Sequence, residues 1–297
     1  MRFYLSYFVI PLVILNSLGG CAKSKTALLD APSSEEVQTT TSYPSVVEVV
    51  LPRGVGMCSG TFISPRAVLT AAHCALNAGT YTLFSSFGTF TATQRATFGP
   101  GILNDPNDIS ILILDHNAAD PAQGQVAALG QSPQVGQEIR IVGFGCDDLD
   151  TKTGAGVKRT GTNQILDISD YLELDTTPTA SLIASHNNAK ILGPENQAGS
   201  CFGDSGGPMF QTQGNSLKVV GVTHAGGWDS DLIRSQYINL NRSDNLGFLQ
   251  EIDRENDLGL FTGCWTSDEP EACGPSSASF HIFSFLQDLW TKLLSFF

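Results

Sequence analysis

Three short segments carry residue types that together could hydrolyse an acyl bond. The segment "LTAAHC" contains His73, "NDISILIL" contains Asp108, and "CFGDSGGP" contains Ser205. Hydrolysis through a serine needs a base for the hydroxyl proton, an acid that orients the base, and backbone donors for the developing oxyanion. Taken alone, His73 is typical of a half-buried histidine and Asp108 of a turn residue that caps a strand. The glycines around Ser205 are more specific, because they let backbone N–H groups approach a substrate oxygen closely.

The segments that must position these residues are predicted to be β-strands. Short β-branched or alternating runs separated by turn residues recur along the chain, for example "YPSVVEVVL", "GTFISPRAVLTA" and "QEIRIVGFG". Helical periodicity appears only late, in "SDNLGFLQEI" and in "SFHIFSFLQDLWTKLLSFF". The 30 glycines and the 15% of charged residues also suit many tight turns. We therefore expect an all-β chain of one or two domains.

The net charge of −13 narrows the class of partner. Binding to nucleic acid needs clustered lysine and arginine side chains, so a nucleic-acid partner is not expected. We interpret the excess of acid as a solvated surface that keeps the protein soluble. Neither a metal nor a cofactor is predicted.

The first twenty residues have the pattern of a signal peptide. One cation at Arg2 precedes an apolar run that is broken by Pro11 and followed by small residues. The end of this run, "LGGC", resembles the bacterial lipobox, which implies that Cys21 is lipidated; ordinary secretion with cleavage nearby is the alternative. Because Ala22 is not an aspartate, the resemblance favours the outer membrane. We expect a protein of the bacterial cell envelope, anchored by its lipid or released to the exterior.

The cysteine count also suits an exported protein. The chain has seven cysteines, and assigning Cys21 to the lipid leaves an even number. Disulfides are therefore expected among the remaining six, and counting alone leaves their pairing open.

In the order in which they occur, "LTAAHC", "NDISILIL" and "CFGDSGGP" resemble the trypsin/chymotrypsin-like serine proteases, and the likeness runs from about Tyr43 to about Ile252. It implies that Ser205 is the nucleophile, that His73 is the general base and then the acid, and that Asp108 fixes the tautomer of His73. The N–H groups of Gly203 and Ser205 would form the oxyanion hole. An inactive homologue or a non-enzymatic binding lipoprotein is the rival interpretation, and the presence of all three residues argues against both.

The resemblance also implies two antiparallel six-stranded β-barrels with the active site between them. The resulting domain prediction is a signal peptide in 1–20, a flexible tether in 21–42, an N-terminal barrel in 43–128, a C-terminal barrel with a terminal helix in 129–255, and an extension in 256–297. In the extension, residues 280–297 form an amphipathic pattern with a wide apolar face. This helix is expected to dock on the barrel, to lie in a membrane interface or to bind a partner.

Disulfide pairing follows from the same resemblance. Cys58 and Cys74 match the family's bridge beside the catalytic histidine. Cys201 normally pairs with a cysteine downstream, but "GVTHAGGWDSD" contains none, so we pair it with Cys146 in the loop that should face Ser205. The two cysteines that remain, Cys264 and Cys273, would close a local loop.

Substrate preference is predicted from four residues around the expected pocket. Trypsins carry an acid six residues before the nucleophile, whereas this chain has Gly199, and Gly226 leaves space on the pocket wall. The resemblance therefore implies protein or peptide substrates with a neutral, apolar or aromatic side chain at the cleavage site. His224 stands where the family usually has a small serine that touches the catalytic aspartate. It is expected either to donate to Asp108 or to a carbonyl, or to recognise an acidic substrate together with Ser200, somewhat as glutamyl endopeptidases do.

Asp204 raises a separate question. In the trypsin-like family this acid pairs with a new N-terminal amine that is released by cutting the proenzyme. No lysine or arginine before Tyr43 is followed by a segment like the family's "IVGG". We therefore predict that Asp204 pairs with an internal cation, Arg140 or Arg159, because a buried carboxylate needs such a partner or several hydrogen bonds. An activating cut in the tether is the alternative.

Overall fold

In a computed structural model, the protein is described at residues 38–102, 105–148, 151–169, 171–176, 198–228 and 233–261. The predicted signal peptide, Cys21, the pair Cys264 and Cys273 and the 280–297 helix lie outside the described residues. Within the described ranges no helix is long and apolar enough to cross a membrane. The strands are β1 Gln38–Thr39, β2 Val46–Val50, β3 Met57–Ser64, β4 Ala67–Thr70, β5 Tyr81–Ser85, β6 Gly88–Ala92, β7 Gln94–Phe98, β8 Ile109–Ile113, β9 Glu138–Gly143, β10 Arg159–Gln164, β11 Asp167–Ile168, β12 Tyr171–Thr176, β13 Pro208–Gln213, β14 Ser216–Trp228 and β15 Ile233–Asn239.

The N-terminal sheet is antiparallel, with the order β6-β5-β2-β3-β4-β8-β7. Its two edge strands, β6 and β7, are separated by Thr93 alone, so one continuous segment pairs with both ends of the sheet. A sheet whose two edges belong to one segment must curl back on itself. Inside this curl all five residues of β8, "ISILI", are buried, which explains why every residue of the strand except Ser110 is apolar.

The C-terminal sheet is also antiparallel, with the order β1-β10-β9-β13-β14-β15-β12-β11. Its outermost strands, β1 and β11, are two residues long each. The predicted all-β class with two curled antiparallel sheets is confirmed, but the strand counts are seven and eight rather than six. The difference arises because the β6–β7 segment is split at Thr93 and because β1 and β11 add short edges. Strand β1 begins at Gln38, within the segment predicted as tether.

The chain passes from the first sheet to the second near residue 128. Ala127 N–H donates to the Phe62 carbonyl, and Gly130 N–H donates to the Val219 carbonyl. One apolar core continues across this passage and includes Phe62 from β3 and Val219 from β14. The two sheets therefore share one set of buried side chains.

The helix α1, Ser243–Asn256, closes the described fold. Its buried residues Asn245, Leu249 and Ile252 follow helical spacing, which places one stripe against the core. Phe248 stacks on Phe98 with ring centroids 5.0 Å apart, so the helix packs on β7 of the N-terminal sheet. The helical pattern predicted from "SDNLGFLQEI" is confirmed.

Candidate active site

His73 and Asp108 are brought together by the pairing of β4 with β8. Thr70 at the end of β4 lies opposite Ser110, two residues after Asp108, and a short 3₁₀ turn then carries His73. The His73 ring donates from Nδ1 to Asp108 Oδ2 at 2.7 Å, and the His73 backbone N–H donates to Oδ1 at 2.7 Å. The carboxylate thus holds both the ring and the main chain of His73, which leaves Nε2 of the ring as the basic nitrogen.

His224 also contacts this carboxylate. Its Nδ1 lies 2.6 Å from Asp108 Oδ2, the oxygen that His73 already uses. Of the two alternatives predicted for His224, this contact corresponds to the hydrogen bond with Asp108. The side chain is only 2% exposed, whereas that of His73 is 30% exposed. His224 therefore lies behind the aspartate, away from solvent.

Asp108 is fully buried, and its ionisation depends on these two rings. Burial acts to raise the pKa of the Asp108 carboxyl, but the hydrogen bonds from His224 and His73 outweigh burial and hold the pKa below its ordinary value. The carboxylate is consequently charged at neutral pH and can stabilise a cationic ring beside it.

The loop that carries Ser205 is anchored on the N-terminal sheet by Ser59. The Ser59 N–H donates to the Ser205 carbonyl at 2.8 Å, and the Ser59 hydroxyl donates to the Gly203 carbonyl at 2.9 Å. The same hydroxyl accepts from the Phe144 N–H at 2.9 Å. Since Ser59 follows Cys58, which is bonded to Cys74, this anchor lies next to the turn of His73. Ser59 was not predicted from the sequence, where its only signal was its place beside that cysteine.

The backbone of the Ser205 loop leaves two N–H groups available. The N–H groups of Asp204, Gly206 and Gly207 each donate to a backbone carbonyl, whereas within the described residues those of Gly203 and Ser205 have no acceptor. Gly203 has φ +100°, a conformation that residues with a side chain rarely adopt. Two free N–H groups in one loop, separated by Asp204, suit a developing oxyanion, which is the role predicted for Gly203 and Ser205.

Asp204 points away from these donors into the protein. Its Oδ1 accepts from the Gly145 N–H at 2.7 Å and its Oδ2 from the Cys201 N–H at 2.9 Å. The residue keeps some exposed surface, but the carboxyl group itself is enclosed, and burial raises its pKa to about 6. A Cβ at Gly143 or Gly145 would lie 2.1 Å or 2.4 Å from this carboxyl, so both positions must be glycine. A cavity of about 30 Å³, with room for about two water molecules, adjoins the carboxyl.

The predicted ion pair between Asp204 and an internal arginine is not formed among the described residues. The guanidinium of Arg159 donates to the carbonyls of Gly145 and Gly154 and pairs with Asp147 at 2.9 Å. Its charge reaches Asp204 only from a distance, where it partly offsets the effect of burial on the pKa. Arg140 makes no side-chain contact with Asp204 either. Backbone N–H groups satisfy the carboxyl in place of a cation.

The residues predicted to form the pocket lie on neighbouring segments. A Cβ at Gly226 would lie 3.6 Å from the Ser200 hydroxyl, so the missing side chain opens space in front of Ser200. Ser235 lies beside Gly226 across the β14–β15 pair, and its Oγ accepts from the Ser200 N–H at 2.9 Å and from the Ser200 hydroxyl at 3.0 Å. Gly199 lies directly before Ser200, at the position where trypsins carry an acid. Ser235 was missed because only the strand register brings it to the pocket.

Both predicted disulfides in the described region are formed, Cys58 with Cys74 and Cys146 with Cys201. The first disulfide closes the loop that carries His73. The second links the segment after β9, which contacts Asp204, to the loop that carries Ser205. Among the described residues two groups have metal-binding side chains: Cys58, His73 and Cys74, whose cysteines form the first disulfide, and His73, Asp108 and His224. The second group is held by hydrogen bonds from ring N–H groups to one carboxylate oxygen.

Comparison with known proteins agrees with this geometry. The model of the trypsin family matches residues 33–243. A trypsin from Saccharopolyspora erythraea is 27% identical over 204 residues, which cover 62% of this chain and 82% of that protein. Neutrophil elastase from Mus musculus is 32% identical over 171 residues, covering 53% of this chain and 60% of that protein. A solved structure of a Glu endopeptidase in complex with MPD has a TM-score of 0.52 at 16% identity and covers 75% of this chain and 98% of its own, a likeness of fold.

Proposed function

Because the chain belongs to the trypsin family of serine proteases, we propose that this serine endopeptidase uses Ser205, His73 and Asp108 to cleave peptide bonds after neutral side chains. The observation that carries the proposal is the contact of Asp108 with both the ring and the backbone of His73. That contact sets the ring tautomer that a general base requires. The free N–H groups of Gly203 and Ser205 supply the second requirement, donors for an oxyanion.

The proposed reaction begins when His73 Nε2 takes the proton of the Ser205 hydroxyl while Oγ bonds to the carbonyl carbon of the substrate. The carbonyl oxygen becomes an oxyanion and accepts from the N–H groups of Gly203 and Ser205. The cationic His73 ring is stabilised by Asp108 and then protonates the departing amine, which breaks the peptide bond. Water repeats the sequence on the acyl-enzyme, with His73 first as base and then as acid, and Ser205 regains its proton.

The pocket supports a preference for neutral side chains. With Gly199 in place of an acid, a lysine or arginine side chain would be buried without a charged partner, which costs several kcal/mol. The Ser200 and Ser235 hydroxyls contribute polarity without charge. An acidic preference would have required a free imidazole at His224, but that ring is buried and engaged by Asp108. We therefore favour a neutral, apolar or aromatic side chain over glutamate.

Lipid attachment at Cys21 and a place in the cell envelope remain part of the proposal. They rest on the "LGGC" segment and the signal-like run before it. Metabolic labelling with a radioactive fatty acid should mark the full chain and should not mark a Cys21→Ala variant. Equal labelling of both proteins would contradict the assignment of Cys21.

Catalysis is tested with a fluorophosphonate probe and a peptide library. The wild-type protein should be labelled and should cleave after apolar or aromatic residues, whereas Ser205→Ala should keep its thermal melting profile and lose both activities, because the hydroxyl carries the covalent step. Undiminished hydrolysis by purified Ser205→Ala would end the proposed mechanism. A library dominated by cleavage after arginine, lysine or glutamate would overturn the specificity.

A further inference from the structure

Two imidazole rings share one oxygen of the catalytic carboxylate. His73 Nδ1 and His224 Nδ1 lie 2.7 Å and 2.6 Å from Asp108 Oδ2, while Oδ1 accepts the His73 backbone N–H. We propose that His224 is a positioning residue for catalysis, which holds the Asp108 carboxylate in the orientation that fixes His73. The inference rests on the proposed protease function and adds to it a second histidine behind the aspartate.

The surroundings of His224 assign its proton. Because Asp108 Oδ2 is an acceptor, His224 Nδ1 must carry a hydrogen. His224 Nε2 is buried and has no hydrogen-bond partner among the described residues. The Nδ1 hydrogen is therefore directed at the carboxylate, and within the described part of the chain no other hydrogen bond competes for the ring. His224 thus supplies a hydrogen-bond donor to Asp108.

The local backbone explains how a strand residue reaches the aspartate. The register of β14 against β15 shifts between Thr223 and Ala225, so His224 is the extra residue of a β-bulge. A bulge redirects the side chain of the extra residue, and bulges are common beside active sites. The His224 ring is then held by Tyr171, which stacks on it at 5.4 Å between centroids and 10° between planes. The donor therefore has one fixed direction, toward Asp108.

The position of the bond predicts its effect on the reaction. Asp108 is fully buried, so its orientation depends on the donors that reach it from His73 and His224. Without the donor from His224, Oδ2 would lose one of its two partners and the carboxylate could rotate about its own bond. His73 would then spend less time with Nε2 directed toward the Ser205 hydroxyl. The loss should appear in kcat more than in KM, because a buried ring cannot touch the substrate.

Two substitutions separate the donor from the volume of the ring. His224→Leu fills similar space without a donor, whereas His224→Asn retains an N–H donor at the same distance along the side chain as Nδ1. We expect His224→Leu to lower kcat/KM by roughly tenfold to a hundredfold, as for the loss of a hydrogen bond to a charged group. His224→Asn should recover most of this loss. The matched control is His116→Leu, which removes another ring that contacts an aspartate, Asp115, but at an exposed site, and should leave kcat/KM unchanged.

A spectrum tests the same geometry without activity. In the Ser205→Ala protein, proton NMR should show two strongly hydrogen-bonded imidazole protons far downfield of the amides, and the one from His224 should exchange slowly because the ring is buried. His224→Leu should remove that resonance and broaden the one from His73. If His224→Leu does not fold, the spectrum of the parent and the kinetics of His224→Asn decide.

The outcomes are distinguishable from failure of the protease proposal. If the wild-type protein is neither active nor labelled by the fluorophosphonate, the protease proposal fails, and the spectrum still tests the His224 bond. Wild-type kcat/KM in folded His224→Leu would overturn the inference. So would equal losses in His224→Leu and His224→Asn, or the absence of a second downfield imidazole proton.

Discussion

Asp204 should make the folded protein less stable as the pH rises from about 4 to about 8. Burial raises the pKa of its carboxyl from 3.8 to about 6, and within the described residues no cation forms an ion pair with it. A raised pKa means that the folded state binds the proton more tightly than the unfolded chain does. The stabilisation is complete below pH 3.8 and is lost as the pH rises through about 6.

The size of the effect follows from the difference between the two pKa values. A shift from 3.8 to about 6, at about 1.4 kcal/mol per pH unit, corresponds to about 3 kcal/mol of unfolding free energy. Glu48, whose pKa is raised by burial, changes stability in the same direction, whereas Asp108, whose pKa is lowered, acts in the opposite one. A difference measurement is therefore required.

The assay compares Ser205→Ala, which cannot digest itself, with the double variant Ser205→Ala/Asp204→Asn. Urea denaturation at several values between about pH 4 and about pH 8 gives the unfolding free energy of each. Contributions from the other titrating groups are common to both proteins and cancel. The double variant lacks one carboxylate acceptor at every pH. Its unfolding free energy relative to that of Ser205→Ala should rise by about 3 kcal/mol from the low to the high end of this range. Parallel curves would refute the reasoning, because they would mean that Asp204 does not titrate in this interval.

The same measurement tests whether a cut in the tether supplies a charged partner for Asp204. If a cut in the tether delivers an ammonium group to the cavity beside Asp204, the carboxylate gains a charged partner and its pKa should fall. Across about pH 4 to about pH 8 the loss of stability due to Asp204 should then disappear, because a carboxyl with a pKa at or below its unfolded value is ionised in both states. If cut and uncut proteins have the same profile, the tether does not supply a partner for Asp204.

Three further predictions concern packing, cross-links and the Ser59 anchor. Gly145→Ala should destabilise the fold by about 1–3 kcal/mol in urea denaturation, because its Cβ would lie 2.4 Å from the Asp204 carboxyl. The control Gly247→Ala, in open space on α1, should stabilise the fold by about 0.5–1 kcal/mol. An unchanged unfolding free energy in Gly145→Ala would contradict the close approach. Replacing Cys146 and Cys201, which are 55 residues apart, should cost about 4 kcal/mol, and replacing Cys58 and Cys74, 16 apart, about 3 kcal/mol; the reverse order in the same assay would argue against the loop-entropy account. Ser59→Ala should lower kcat roughly tenfold with little change in KM, because the Gly203 carbonyl and the Phe144 N–H both lose a partner, and unchanged steady-state kinetics would show that the loop needs no such anchor.

The reacting residues could be predicted because the three segments that contain them, in their order along the chain, resemble the catalytic segments of the trypsin/chymotrypsin-like serine proteases. His73 and Asp108 each occur next to an apolar strand, and those strands, β4 and β8, prove to be paired. Ser205 lies among glycines whose backbone conformations leave two donors free. The two disulfides in the described region were predicted from the same resemblance, and both are formed.

The remaining features depend on how strands pair and on three-dimensional competition for partners. The sequence could not decide between the alternatives for His224, because its direction results from a bulge, and Ser235 reaches the pocket only through its register with Gly226. Arg140 or Arg159 was expected to pair with Asp204, because a buried carboxylate needs a cation or several hydrogen bonds; Arg159 is the nearer case. The structure instead directs its guanidinium to backbone carbonyls and Asp147, which a charge count cannot foresee.

The acid before the nucleophile shapes the loop that holds the oxyanion donors. Its two oxygens take the N–H groups of Cys201 and Gly145, while its own N–H donates to the Cys201 carbonyl. These bonds turn the backbone so that Gly203 and Ser205 are left with N–H groups that have no acceptor within the described chain. When Asp204 is ionised, it accepts both hydrogen bonds but places a charge in the protein interior. When it is protonated, the fold is more stable but the carboxyl is a weaker acceptor. Ionised Asp204 therefore best holds the loop that carries the oxyanion donors, although burial opposes its ionisation. A positive charge in the adjoining cavity would stabilise the ionised carboxylate and, through it, the conformation of this loop.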